Sequence, residues 1–421
     1  MPFPVTVLLD HDAPSETFIR REIALLRQRG WTLHVRYLTH PKGTAGAGAA
    51  GGAGTLELQN FRTLELQNFR TLELQNFRTL ELQNFRTLEL QNFRTSYVAL
   101  GRFTGMLARS PLDALRLLKR LPQAAALARD LVATDSRLVW AQFAGITADI
   151  GAIAAATLNR PWLCSVHAHD VFTPSPKVLA FRLQHAQRVV ACSQAAADAV
   201  RASGIAPERI EVIHHGVVSG QWSAASGQSG TPIIFSAGRL EPKKGFDVLL
   251  RACAVLHARG IPFSCRIAGK GSLDDELRRL AVELGIGAET VFVGWLSPGQ
   301  VLDEIRTADA VALASRRLPD GDRDGIANVV LEALATGTPV VTTTAGAAAE
   351  AIRDNISGRL VPPDDPGALA AALAELLTAP AARQRLAMEG RRVIAESFDP
   401  IANIRKLEAT LTTCAKIDKT A

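Results

Sequence analysis

Short apolar runs alternate with amphipathic helical stretches along most of this chain, and that rhythm constrains the fold more than any other feature. Val5–Asp10 reads as a strand, Ser15–Arg29 as a helix closed by Gly30, and Trp31–Leu38 as a second strand. The pattern resumes at Leu138–Phe143, Trp162–His167, Arg188–Cys192 and Ile210–His214, with helical stretches between. A second series follows at Pro232–Ala237, Phe263–Ala268, Thr290–Val293, Ala310–Leu313 and Pro339–Thr343. Strand–helix–strand alternation of this kind belongs to α/β proteins, with parallel sheets covered by helices on both faces. The two series are separated by the polar stretch 219–230, which reads as a linker. Two Rossmann-like domains are therefore expected, over 1–218 and 231–398, and a length of 421 residues suits two domains better than one.

The rhythm is interrupted once. A Gly/Ala spacer at 45–54 leads into T-L-E-L-Q-N-F-R, repeated five times without change from Thr55 to Arg94. A period of eight fits neither the heptad nor the eleven-residue supercoil repeat, and solenoid units usually need about 20 residues or more. The segment 45–95 reads as a low-complexity insertion in a surface loop rather than part of the fold. Beyond it, Tyr97–Leu131 carries Arg102, Arg109, Arg116, Lys119, Arg120 and Arg129 among apolar residues. This suits either a basic helix lying on an anionic membrane face or ordinary packed helices with solvated arginines.

Composition narrows the function classes. The formal charge is +6, with no run of five basic residues and few aromatics, so a phosphate-bearing small partner fits and nucleic acid does not. Five cysteines, none in a C-x-x-C pair, argue against a disulfide framework or a zinc site and for a reducing compartment. No signal-peptide pattern precedes the first strand, and Leu138–Leu158 reads as a buried strand and helix rather than a membrane span. A cytoplasmic location, with an optional peripheral contact at the membrane, is expected.

The chemistry-bearing residues cluster at strand ends. The strand ending at Ala237 runs into G-R-L-E-P-K-K-G, 238–245. Ligands of open parallel sheets bind beyond the carboxyl ends of the strands, which places Arg239 and Lys244 where fixed cations can stabilise a departing diphosphate. D-G-I-A-N-V-V-L-E, 324–332, follows the strand Ala310–Leu313 and a polar loop. A helix is expected to start near Ile326, so that amides around Asn328 and Val329 can meet a phosphate. Asp324 and Glu332 are expected on one side of it, as carboxylates suited to accepting hydrogen bonds from hydroxyls.

With these motifs the chain resembles the retaining glycosyltransferases of family 4, in the branch that builds exopolysaccharide, colanic acid and lipopolysaccharide core. The resemblance covers nearly everything outside 41–96 and implies the GT-B architecture: two Rossmann-like domains facing across a cleft, and a last segment, 399–421, crossing back to the first. It implies that Gly238, Arg239 and Lys244 meet the donor diphosphate, and that Asp324-x7-Glu332 stands for an E-x7-E pair whose second acid holds ribose and whose first meets the sugar. By the same resemblance Asn328, Val329 and Val330 belong to the donor site. Val293, in V-F-V-G-W-L, reads the base; Lys270 and Gly271 stand in the G-x-G loop; and Glu350 is the acid of A-G-A-A-A-E. S-E-T-F-I at 15–19 matches a helix start of that branch, and V-H-A-H-D at 166–170 supplies a histidine near the reacting sugar, assigned to His169.

The implied reaction moves a sugar from a UDP- or GDP-linked donor to a glycan or lipid-linked glycan, with retention, and without a metal or other cofactor. Asp in place of the first Glu, and Val218 where Asp is usual, leave room for a catalytically silent nucleotide-sugar binder. A GT-B epimerase of nucleotide sugars is a third alternative.

Overall fold

A computed structural model describes residues 3–10, 17–38, 53–55, 117, 119–218 and 230–416. The octapeptide repeats beyond Thr55, residues 15–16 of the S-E-T-F-I match and most of the linker lie outside the described residues, as does the basic stretch up to 116.

The first half alternates as its apolar rhythm predicts. Strand β1 (Val5–Leu9) is followed by helix α1 (Thr17–Gln28), β2 (Leu33–Tyr37), a short β3 (Ala53–Thr55), α2 (Leu121–Ala133), β4 (Leu138–Gln142) and α3 (Ile146–Thr157). Then come β5 (Trp162–Val166), α4 (Ala168–Phe172), α5 (Pro176–Leu183), β6 (Arg188–Ala191), α6 (Gln194–Ala202) and β7 (Ile210–Val212). The second half gives β8 (Ile233–Ala237), α7 (Phe246–Ala258), β9 (Ser264–Ala268), α8 (Asp274–Glu283), β10 (Thr290–Gly294), α9 (Pro298–Thr307) and β11 (Ala310–Leu313). It closes with α10 (Asn328–Thr336), β12 (Val340–Thr343), β13 (Arg359–Val361), α11 (Pro366–Thr378), α12 (Pro380–Ser397) and α13 (Pro400–Lys416).

Two parallel sheets result, in the order β3-β2-β1-β4-β5-β6-β7 and β10-β9-β8-β11-β12-β13. In each, the chain first builds outward in one direction and then returns past the starting strand to build the other way. The reversal falls between β1 and β4 in one sheet and between β8 and β11 in the other, which is the doubly wound arrangement with its switch point. By backbone proximity the chain forms two compact units, Met1–Ser165 with Arg182–Arg188 and Thr410–Ala421, and Val166–Phe181 with Val189–Ala409.

The second sheet shows why its strands are apolar throughout. Side chains alternate between faces along a strand. Ile234, Cys265, Ile267, Ala310, Ala312 and Val341 pack into one buried cluster, beneath α7 and α11. Their neighbours Phe235, Ala268, Val311, Leu313 and Val340 pack into another, with α10 and α12. With both faces covered, most strand positions are apolar, so the strands read as near-continuous hydrophobic runs. The stretch Leu138–Leu158 resolves the same way, as buried β4 and α3, and among the described residues no helix is long and apolar enough to cross a membrane.

Two strands escape the hydrophobic rhythm. β13 has three residues, too few for a pattern, and β3 lies where the Gly/Ala spacer meets the first repeat, so the expected insertion 45–95 enters the fold at 53–55: its backbone pairs with β2 through Val35–Ala53, Arg36–Gly54 and Tyr37–Thr55.

Candidate active site

The switch point of the second sheet gathers the residues singled out from sequence. β8 ends at Ala237, and Gly238 donates its amide to Ala268 of β9 (3.0 Å). Leu240 then donates to Lys270 O (3.0 Å), and Leu273 donates to Leu240 O (3.1 Å). The Arg239 segment and the Lys270–Gly271 loop are thus fastened to one another through backbone. A methyl group at Gly271 would sit 2.3 Å from Leu240 O, and one at Gly269, where φ is 143°, would sit 1.8 Å from Gly238 O. Only glycine permits so close an approach of two main chains.

Lys244 ends a short 3-10 turn, Pro242–Lys244, and its stem folds back over Gly238. Its Nζ lies 2.8 Å from Asp324 Oδ1, and Asp324 Oδ2 accepts from Ser315 Oγ at 2.6 Å. The pair spans the switch point, joining the segment after β8 to the loop after β11. Burial by itself would raise the Asp324 pKa, but Lys244, the Ser315 hydroxyl and the Lys243 charge outweigh it and hold the carboxyl below 3.8. A second buried pair lies beside it, Lys243 Nζ with Asp322 Oδ2 at 3.0 Å. Arg316 anchors the same loop, donating both to Asp247 and, through its amide, to Lys243 O. Arg239, in contrast, is exposed and pairs with Glu241 at 2.8 Å.

Helix α10 begins at Asn328, two residues later than Ile326, where the sequence places it. The reason is local: Ala327 is extended and its carbonyl takes the amides of Val330 and Leu331. Asn328 and Val329 remain in the first turn, but the Val330 amide is committed to the helix. Asp324 precedes the helix rather than standing on it, and its carboxylate is turned to Lys244. Glu332 is half-buried on the helix. Val293 lies on the edge strand β10, two residues before the exposed Trp295.

A second cluster forms where β5, β6 and β7 end. His169 is exposed in α4, its Nδ1 3.5 Å from Asp322 Oδ1. The buried histidine is His167, which caps α4: its side chain accepts the Asp170 amide, while its own amide donates to Asp170 Oδ1 at 2.9 Å. Its ring stacks on His215, centroids 5.3 Å apart and planes at 14°, with Nδ1 3.3 Å from His215 Nε2. Burial, and then the His215 charge, keep His167 well below the usual 6.5, so it is neutral near pH 7. Glu350 is brought here too. It accepts the amides of Gln194 (2.7 Å) and Ala195 (2.9 Å) at the start of α6 and pairs with His214 at 3.0 Å. These contacts define its observed place at the start of α6. Sequence reasoning missed His167, Cys192, His214, His215, Ser315 and Asp322. The doublet His214–His215 directly after a strand was the available signal for two of them.

Against this geometry, two family models match the chain in succession: Glycosyltransferase Family 4 over residues 89–219 and Glycosyl transferases group 1 over residues 220–393. WcaL of Salmonella typhimurium, whose name assigns it provisionally as a colanic acid biosynthesis glycosyltransferase, is 33% identical over 220 residues, 52% of this chain and 54% of that protein. The D-inositol 3-phosphate glycosyltransferase of Mycolicibacterium vanbaalenii is 31% identical over 257 residues, 56% of this chain and 54% of its own length. The chain thus spans about half the length of the curated relatives it matches. Among solved structures, Anabaena Alr3699/HepE in complex with UDP and glucose superposes with a TM-score of 0.68 at 19% identity, covering 98% of this chain and all of that one. At that identity the likeness shows the fold, which is GT-B.

Proposed function

Since the chain belongs to the glycosyltransferases whose two family models run consecutively from residue 89 to 393, we propose that it transfers a sugar from a nucleotide diphosphate to a glycan or lipid-linked glycan of cell-surface polysaccharide. The observation that carries this reading is the switch point after β8 and β11. Two glycine-bearing loops, the buried Lys244–Asp324 pair and the first turn of α10 converge there. That is the crevice in which doubly wound sheets bind nucleotides.

Departure of a nucleoside diphosphate places negative charge on the β-phosphate. Lys244 meets it as a held cation, and Arg239, exposed and paired with Glu241, meets it from outside. The amides of Asn328 and Val329 add partial positive charge. Glu332 accepts from the ribose hydroxyls, and Lys270, Gly271 and Val293 line the nucleoside end. Asp324 holds Lys244 in place, a role that a carboxylate one methylene shorter than Glu serves without itself reaching the sugar. His169 and the neutral His167 stand on the side of the reacting carbon. In this reading the acceptor hydroxyl attacks from the face the phosphate leaves, its proton passes to the leaving oxygen, and configuration is retained. The cations carry the charge stabilisation, and the chain calls on no metal for this step. UDP is the first donor to try, since a neighbour of the same fold holds UDP, with GDP second.

Thermal shift with UDP, GDP, ADP, CMP and dTDP tests the site. At a hundredfold excess over Kd a ligand stabilises by about 2.7 kcal/mol. One diphosphate is expected to stabilise the wild type but not Glu332→Ala. Lys244→Ala is expected to bind more weakly and to lose turnover, and wild-type turnover in that variant would overturn the assignment. Binding without turnover in the wild type would favour the catalytically silent alternative.

A further inference from the structure

Three successive parallel strands, β5, β6 and β7, end side by side, and each releases a metal-ligating side chain within a few residues. His167 follows β5 directly, Cys192 follows β6 directly, and His215 comes three residues after β7. Strand neighbours lie about 4.8 Å apart, so side chains leaving adjacent strand ends on one side start at about that separation. The backbone ladder continues into this region: Cys192 donates to Val166 O, and Ile213 to Ala191 O (3.0 Å). One ligand atom from each of the three residues lies within 4.8 Å of the others. We propose that His167, Cys192 and His215 form a zinc-binding site of two imidazoles and one thiolate.

The distances suit the ion. Zinc takes nitrogen at about 2.0–2.1 Å and sulfur at about 2.3 Å in a tetrahedron, which sets two ligand nitrogens roughly 3.3 Å apart. His167 Nδ1 and His215 Nε2 are 3.3 Å apart already. The set is chemically apt as well. A soft thiolate with two imidazoles selects zinc or copper over magnesium and calcium, and three protein ligands leave a fourth position open to water or a substrate oxygen. His167 lies directly after β5 with its Nδ1 facing His215 Nε2. Its ring is also held before any ion arrives, by the α4 cap and by stacking on His215. Cys192 is a half-buried free thiol, reachable from solvent. Metal capture exchanges the His167–His215 hydrogen bond, and the bond in which the His167 ring accepts the Asp170 amide, for two nitrogen–zinc bonds and forms one sulfur–zinc bond; the imidazole that donated in the His–His bond shifts its proton to its other ring nitrogen. The thiol proton passes to solvent, and no redox change occurs. Sequence spacing could not reveal the site, because its ligands are 25 and 23 residues apart (192 − 167 and 215 − 192) and meet only through strand order.

His167 stands in both readings, but the metal test reads the ion alone, without nucleotide or turnover. The full chain, freed of metal by a chelator, is titrated with Zn2+ against a chromophoric competitor and with Co2+ as a spectroscopic probe. One equivalent is expected to bind, with a thiolate-to-cobalt charge-transfer band and d–d bands of tetrahedral intensity. Cys192→Ser is expected to abolish the charge-transfer band and weaken zinc at least tenfold. His215→Gln, which leaves the α4 cap alone, is expected to weaken it similarly with unchanged circular dichroism. Undiminished binding in both variants, no stoichiometric binding, or cobalt binding without a thiolate band would each overturn the site. The nucleotide thermal shifts separate the two readings: zinc binding without any nucleotide response would sink the donor site alone, and the converse would sink only the metal site.

Discussion

Removing both members of the Lys244–Asp324 pair is expected to destabilise the protein by well under the sum of the two single removals. The charges lie 2.8 Å apart, with side chains 13% and 10% exposed. At an effective dielectric constant of about 20 the Coulomb attraction is about 6 kcal/mol before desolvation is subtracted. Breaking such a buried pair by deleting one partner typically costs about 3–5 kcal/mol, because the other charge is left uncompensated. Asp324→Asn keeps the shape and the Ser315 contact while removing the charge, and Lys244→Met keeps the stem. Each is expected to cost about 3 kcal/mol, which lowers Tm by roughly 6–12 °C for a unit of this size. The double variant should cost well under the sum, with a coupling of at least about 1.5 kcal/mol. Calorimetric melting of the four proteins gives the cycle. Because the Asp324 carboxyl titrates lower in the folded state than its ordinary 3.8, its contribution is complete above that value. It is lost as pH falls through the lower, folded value. The gap in Tm between wild type and Asp324→Asn should therefore be full at pH 6 and shrink in acid. Additivity within about 0.5 kcal/mol, or a gap independent of pH down to 3, would refute the account of this pair.

Glu350→Ala removes the acceptor of two α6 amides and the His214 partner; a loss of about 1–2 kcal/mol is expected, read as a lower denaturant midpoint. Burial opposes ionisation of Glu350, but the His214 and amide hydrogen bonds prevail and keep its pKa below 4.5. Its stabilisation is therefore complete above 4.5 and disappears as pH drops through the folded value, so the variant should show a weaker acid limb in stability against pH. Gly271→Ala forces a methyl group against the Leu240 carbonyl; nucleotide affinity is expected to fall at least tenfold with little change in circular dichroism. Deleting residues 56–94 removes the repeats but keeps β3, and unchanged melting and nucleotide response are expected if the repeats are an insertion outside the fold.

The fold was legible because the central strands of both sheets are buried on two faces. Phe235 and Ile234 both needed to be apolar, for different clusters, and the resulting run marks the strand without ambiguity. The loops were legible only where chemistry is carried by residue type. Lys244 and Asp324 could be named from spacing, but not that they bind one another, since the two residues, 80 positions apart in sequence, meet only when β11 is laid beside β8. His169 drew attention over His167 because both follow the same strand. What separates them is that one is the first residue outside β5 and the other already stands on the outer side of α4. Glu350 was placed by resemblance among the donor contacts; its hold on the α6 amides depends on strand order, which a linear reading does not contain.

The backbone fastening between the Leu240 segment and the 269–273 loop bears on how mutational scans of such a site should be interpreted. Its bonds run from amide to carbonyl, so truncating Lys270 or Leu273 to alanine leaves every one of them in place. A side-chain scan would register the packing of Leu273 and the charge of Lys270, but not this fastening. Replacing Gly269 or Gly271, by adding a single carbon, would register among the most damaging changes in the chain. Tolerance and importance therefore come apart here: the shape of the crevice is written in main chain, and only substitutions that add bulk can read it.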